Sequence, residues 1–243
     1  MIEEGFYADK SEITNIDYLE YQFWINRLFG KSSRKYKESI LDSTVWDSED
    51  GFSHLVQEYH RNEMYHYYPV VGITLTQAQR FTKWRTDRVM ELILIKSGII
   101  SPDLEQDSSQ YFTFESFVNG NYTYTQGELS IEDSSLEIDF VEYKIPSSSE
   151  WESISGVNDN LFIDSLLLIY GNKAVLKKHN HLFNTKEFQE PTKKRIPSVK
   201  NSNTEKTGTV PVRLLAQNIY GMHGVVGNVS EMINEEGLSK GSN

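Results

Sequence analysis

Gly221, Gly224 and Gly227 recur at every third position, and Asn228 and Glu231 follow directly; no other part of the sequence sets residue types so plainly at spacings that could do chemistry. A three-residue glycine period suits neither a helix nor a paired strand. Glycine tolerates positive φ and close backbone approach, so residues 218–232 read as a tightly folded loop. Such a loop turns several carbonyls toward one point, and the side chains of Asn228 and Glu231 add oxygens nearby. Those are the donors a hard cation such as calcium takes. A glycine-rich surface turn is the competing reading of the same residues.

Other chemistries leave little trace. The chain has no cysteine, which removes disulfides, thiolate metal sites and cysteine nucleophiles from consideration. Its six histidines, His54, His60, His66, His179, His181 and His223, lack the tight helical spacing or the companion carboxylate of a paired-histidine iron site. They read as core or surface residues. There is no Gly-x-Ser-x-Gly elbow and no phosphate loop, and with so many carboxylates an acid pair means nothing without geometry.

Composition sets the outer limits. With 243 residues and 38% hydrophobic content, the chain has ample length for a core. No internal repeat and no composition break marks a boundary, so residues 1–243 read as a single domain. A net charge of -11 argues against sequence-independent nucleic-acid binding, which relies on cationic contacts to phosphate. The short runs Lys177-Lys178 and Lys193-Lys194-Arg195 read as solvated loops. No apolar run approaches the length of a membrane span. Met1-Ile-Glu-Glu opens acidic, unlike a signal peptide. The expected location is cytoplasmic if Met1 is the native start, and otherwise periplasmic or outer-membrane associated with a leader removed.

The elements that must hold the loop can be read with varying sharpness. Phe6 and Tyr7 suit a short strand, and Thr14 or Asn15 a helix cap. Ile16, Leu19, Phe23 and Trp24 then give an apolar face that ends near Gly30. Thr74 and Gln77 have capping-box spacing, ahead of Ala78, Phe81, Trp84, Val89, Leu92 and Ile93, with Gly98 and Pro102 as stops. Residues 103–142 alternate acidic, serine and aromatic positions and read as a surface insertion. Ser147 and Glu150 form a second capping box before Trp151 and Ile154. Residues 162–170 are a short apolar run, helix or strand, and residues 175–208 read as basic loop. The cluster Tyr59, Tyr65, Tyr67 and Tyr68 is a candidate partner surface, because exposed tyrosines favour interfaces.

Several stretches of the chain resemble, in order, the signatures of the formylglycine-generating enzyme family, also called the sulfatase-modifying factors. Gly5-Phe-Tyr-Ala-Asp-Lys-Ser-Glu-Ile-Thr-Asn15 with Tyr18 is similar to its N-terminal motif. Tyr68-Pro-Val-Val-Gly-Ile-Thr-Leu-Thr-Gln-Ala78 and Phe81-Thr-Lys-Trp-Arg85 resemble its central one. Tyr143-Lys-Ile-Pro-Ser-Ser-Ser-Glu-Trp-Glu152 resembles "Y-R-L-P-T-E-A-E-W-E", and the glycine loop resembles "G-N-V-x-E-[WM]". The prolonged central helix and Phe112-Thr-Phe-Glu-Ser-Phe-Val-Asn-Gly-Asn-Tyr122 are similar to the gliding-motility and type IX secretion lipoproteins of that family.

The resemblance implies an α+β fold of the C-type-lectin-like kind, with little regular secondary structure and long ordered loops. It also implies a calcium site, which here maps onto the carbonyls of Gly227 and Val229 and the carboxylate of Glu231. The family's first side-chain ligand falls on Gly224, which has no oxygen to offer, so the site reads as degraded. The family oxidises with a copper-binding cysteine pair beyond an "R-G-G-S-W" corner. Gly237-Leu-Ser-Lys-Gly-Ser-Asn243 resembles the start of that corner, with Lys240 and Gly241 in its Arg-Gly places, and the cysteine-bearing segment is not present. Ser230 and Met232 stand where the family carries aromatic residues. No copper site, no catalytic residue and no nucleic acid are therefore expected. The expectation is a non-catalytic domain that binds another protein, with oligomeric state undetermined. A truncated formylglycine-generating oxidoreductase and a calcium-dependent lectin-like module are the alternatives.

Overall fold

The computed structural model describes residues 5–47, 52–122, 139–155, 209–215, 217–225, 228–235 and 238–240. The readings of residues 162–170 and 175–208, of His179 and His181, and of Gly227 and Gly241 fall outside them. Six helices occur in order among the described residues: α1 (Asn15–Phe29), α2 (Arg34–Glu38), α3 (Leu55–Glu58), α4 (Leu75–Lys96), α5 (Phe114–Val118) and α6 (Ser148–Ser155). Short 3-10 turns lie at Ser43–Trp46 and Glu63–Tyr65. The one sheet among these residues pairs β1 (Glu231–Met232) with β2 (Ser239–Lys240) antiparallel, Glu231 opposite Lys240 and Met232 opposite Ser239. Helices with little sheet and much irregular chain are compatible with the expected mixed fold.

Two compact units share the chain. The first takes Met1–Tyr18, Leu41–Leu75 and Pro146–Asn243, and the second takes Leu19–Ile40 and Thr76–Ile145.

The first unit contains the start of α1. Thr14 caps that helix: its N and Oγ1 donate to Asp17 Oδ2 at 2.9 and 2.5 Å, and Asp17 N returns a bond to Thr14 Oγ1 at 3.3 Å. Reciprocal bonds of this kind satisfy donors that a helix start leaves open. Asn15 has another task. Its buried Nδ2 donates to the carbonyls of Tyr59 and Tyr65 at 3.1 and 3.0 Å, which pins the start of α1 to an aromatic cluster of Trp46, Phe52, Leu55, Tyr59 and Tyr65. The Tyr59 and Tyr65 rings stack 5.4 Å apart, and Tyr59 Oη reaches the Pro69 carbonyl at 2.7 Å. The tyrosines read as a partner surface are thus mostly core. Only Tyr67 of the four is exposed, at 71%, because each buried hydroxyl or ring finds a partner inside. At α6 the expected capping box forms: Ser147 N and Oγ donate to Glu150 Oε2 at 2.8 and 2.9 Å, and Glu150 N donates to Ser147 Oγ. Behind it Trp151 packs with Met222, Val225 and Ile233.

The second unit is organised by α4. Its core joins Met90 and Leu94 to Ile99, Ile100, Phe112, Phe117 and Tyr122. Two expectations need correction here. Residues 112, 117 and 122 lie within the stretch read as a surface insertion, yet they are buried. The helix face also differs, since Leu92 is half exposed whereas Thr86 and Asp87 are inside. The reason is hydrogen bonding: Thr86 Oγ1 accepts from Tyr143 N and Asp87 Oδ1 from Phe114 N, both at 2.8 Å. A buried polar side chain that satisfies a backbone donor is tolerated, and hydropathy periodicity does not see it. Along α1 the buried stripe is Tyr18, Tyr21, Ile25 and Leu28, while Phe23 is exposed. That stripe also keeps helical spacing, but it relies on two tyrosines.

Candidate functional site

Asn218 shapes the glycine loop. Its Oδ1 accepts from Tyr220 N at 3.0 Å and Met222 N at 3.1 Å, and its Nδ2 donates to the carbonyls of Ile154 and Ser155 at 2.7 and 3.2 Å. One buried side chain thus closes the turn and fastens it to the end of α6. Gly221 and Gly224 have φ of 78° and 71°, a region open to glycine at little cost. The anticipated tight loop is present in the described residues. Its middle is held to the N-terminal segment by His223 N, which donates to the Lys10 carbonyl at 2.7 Å.

Asn228 is the second anchor. It is buried and, unusually for a residue with a side chain, has φ 63°, which asparagine tolerates better than most. Its Oδ1 accepts from Val210 N at 2.9 Å, and its Nδ2 donates to the Val210 carbonyl at 3.1 Å and to Glu12 Oε1 at 3.0 Å. The amide is therefore spent on protein partners.

Two carboxylates converge on this loop. Glu231, at the start of β1, accepts a short hydrogen bond from the Trp151 indole N–H. Burial pushes its carboxyl up to about 8, against that hydrogen bond, and the charge of Glu12 adds to the rise. Glu12 is pushed up to about 7, again chiefly by burial, against its hydrogen bonds to backbone and to Asn228. Desolvation and a neighbouring like charge both disfavour a carboxylate. Glu12 Oε2 is buried without a hydrogen-bond partner.

The expected ligands can be placed one by one. Glu231 is present and facing Trp151. Val229 follows Asn228 in the described loop, and Gly227 lies outside the described residues. Gly224 lacks the side-chain oxygen the family pattern asks for, but its space is filled: a Cβ added there would collide with the Glu12 carboxylate. A buried oxygen without a partner and a second carboxylate in the place of the missing ligand fit a hard cation that takes about six to eight oxygens. Among the described residues no three His, Asp or Glu side chains gather as a metal cluster.

The described histidines have other partners where their bonds are resolved. His60 Nε2 bonds the Val71 carbonyl at 3.1 Å, and His223 Nδ1 bonds the Leu215 carbonyl at 2.7 Å. What sequence reading missed is Glu12. It stands in the Ser-Glu-Ile-Thr-Asn15 stretch quoted for the resemblance, but nothing in its spacing shows that it reaches a loop more than 200 residues away, as its bond to Asn228 does.

Comparison with known proteins adds the family. One family model, described as Sulfatase-modifying factor enzyme 1-like domain, matches residues 2–240 and runs through both units. No curated protein and no solved structure matches the chain.

Proposed function

The chain belongs to the sulfatase-modifying factor enzyme 1-like domain family, and on that premise we propose that it is a non-catalytic, C-type-lectin-like member that binds another protein. The observation that carries this reading is that residues 2–240, the span of the family match, hold no cysteine. Within that span no thiolate pair is available to hold copper(I) in the family's manner, and no thiol is there to be oxidised. What remains is the scaffold, with Asn218 and Asn228 holding a loop that displays Ile219 and Tyr220, each 46% exposed. A rigid loop bearing an aromatic and an aliphatic residue suits a protein partner, since little ordering is left to be done on binding.

The same reading gives the glycine loop a structural calcium ion, held by the carbonyls of Gly227 and Val229 and by Glu231. Calcium would supply charge neutralisation and loop rigidity, and no redox chemistry. The prolonged α4 and the α5 stretch support placement with the gliding-motility or type IX secretion lipoproteins, in which case the domain works in the periplasm or at the outer membrane. No described helix is long and apolar enough to cross a membrane.

Oxygen uptake with copper(I) and a cysteine-containing peptide tests the non-catalytic part. The expected result is no consumption above the peptide's own, and steady turnover overturns it in favour of an oxidoreductase. The genomic neighbourhood tests the setting: secretion components beside the coding sequence support it, and sulfatases beside it argue for the enzyme. Calcium-dependent retention on a glycan array would move the reading to a lectin-like module.

A further inference from the structure

We infer that Glu12 is a ligand of the loop's cation, supplying from the segment before α1 the carboxylate that Gly224 cannot. The inference rests on the calcium reading above and adds a residue, and a structural consequence, that the glycine loop alone does not contain. Bound this way, the ion is a clasp. It ties the start of the chain to a loop more than 200 residues further on.

Four observations converge on Glu12. Its carboxylate occupies the volume that a side chain at position 224 would fill. Of its two oxygens, Oε1 takes the Asn228 amide at 3.0 Å, and Oε2 is buried with nothing to bond. A buried acceptor without a donor costs free energy unless something fills the place. Trp151 engages Oε2 of Glu231, and no hydrogen bond to Glu231 Oε1 is present among the described residues. Each of the two carboxylates thus keeps an oxygen without a hydrogen bond among the described residues, and no Lys, Arg or His among those residues pairs with either. The backbone holds the Glu12 segment against the loop, since His223 N bonds the Lys10 carbonyl two residues before Glu12.

Charge selects the class of ligand. A buried carboxylate oxygen with no donor, when ionised, calls for a cation. Oxygen donors without sulfur or imidazole favour a hard one. Calcium, which accepts about six to eight oxygens in flexible geometry, would fit better than magnesium, which demands a near-ideal octahedron.

The test compares the wild-type chain with Glu12→Gln and Glu231→Gln. Calorimetry with calcium chloride gives affinity, and terbium luminescence excited through Trp151, whose indole is bonded to Glu231, reports occupancy at this spot. Wild type is expected to bind, with each variant weakened by about tenfold or more, as carboxylate count tunes such sites. If Glu12→Gln binds as wild type does while Glu231→Gln is weakened, Glu12 is no ligand and the loop's calcium stands without it. If wild type binds no calcium, both readings fall together. Should Glu12→Gln not fold, amide exchange on the wild-type chain decides instead. Calcium is then expected to slow exchange at residues 10–13 as well as in the loop, and slowing confined to the loop overturns the inference.

Discussion

Arg88 in the second unit and Glu12 in the first are both largely buried charges, yet their surroundings differ. Arg88 Nη1 donates to Glu91 Oε2 at 2.6 Å and Nη2 to the Phe112 carbonyl at 2.5 Å. Its guanidinium lies over the Trp24 ring, 4.8 Å from the centroid. Glu91 in turn accepts from Gln106 Nε2, whose own Oε1 accepts from Phe112 N. Burial lowers the Arg88 pKa and raises that of Glu91, and each charge opposes the shift of the other. In the first unit Glu12 and Glu231 have amide and indole donors but no cation among the described residues, and burial raises the pKa of both. One site carries its counter-ion in the chain. The other leaves that place to a proton or a metal, so its stability depends on what the solvent supplies.

The largest effect is expected where the counter-ion is internal. Glu91→Ala strips Arg88 of its partner inside the protein, and breaking a buried pair in this way costs about 4 kcal/mol. Urea unfolding should show it as a lower midpoint at unchanged slope. A loss below 1 kcal/mol would mean that the Phe112 carbonyl and the Trp24 ring suffice for the guanidinium, and the contrast with Glu12 would lose one of its sides.

Next comes pH. Glu12 and Glu231 bind protons more tightly in the folded chain, at about 7 and about 8, than at the ordinary value of 4.5. A raised folded pKa gives stability that is complete below pH 4.5 and is lost as pH rises through 7 to 8. For Glu12 alone the loss is on the order of 3 kcal/mol, at 1.36 kcal/mol per pH unit. Thermal melts of chelator-treated protein between pH 4.5 and 8.5 should therefore decline, and calcium at pH 8 should recover most of the decline. A flat profile without calcium would show that solvent already neutralises the pair.

How far these features could be read from sequence depends on the range of the interaction. The Ser147–Glu150 box and the end of α4 at Gly98 are local, set by caps and a positive φ of 73°, and short spacing reveals them. The tight loop was legible for the same reason, through the φ tolerance of Gly221 and Gly224. Glu231 stands in the loop motif quoted for the resemblance. The position of Glu12 could not be read, because tertiary folding brings residue 12 beside Asn228 and into the space left by Gly224. The inward turn of Thr86 and Asp87 escaped for a related reason: their partners, the backbone N–H groups of Tyr143 and Phe114, lie 57 and 27 residues away. Hydropathy ranks a side chain by its own polarity and carries no record of the donor it will meet.

Trp151→Phe is the smallest and sharpest probe of the contrast. The indole N–H is the hydrogen-bond donor that Glu231 has among the described residues, while the ring packs against Met222, Val225 and Ile233. Phenylalanine keeps most of that apolar contact and removes the donor, so the expected cost is about 1–2 kcal/mol, the range for a carboxylate losing one such bond. The direction on titration is distinctive. That bond holds the Glu231 carboxyl down against burial, so without it the carboxyl should titrate still higher, and the alkaline loss of stability in metal-free protein should move to higher pH. Calcium should then offset more of the variant's loss at pH 8.5 than at pH 5, because a cation replaces the missing positive dipole only when the carboxylate is ionised. An equal loss at both pH values, with calcium making no difference, would assign Trp151 to packing alone and leave Glu231 without any electrostatic tie to the core.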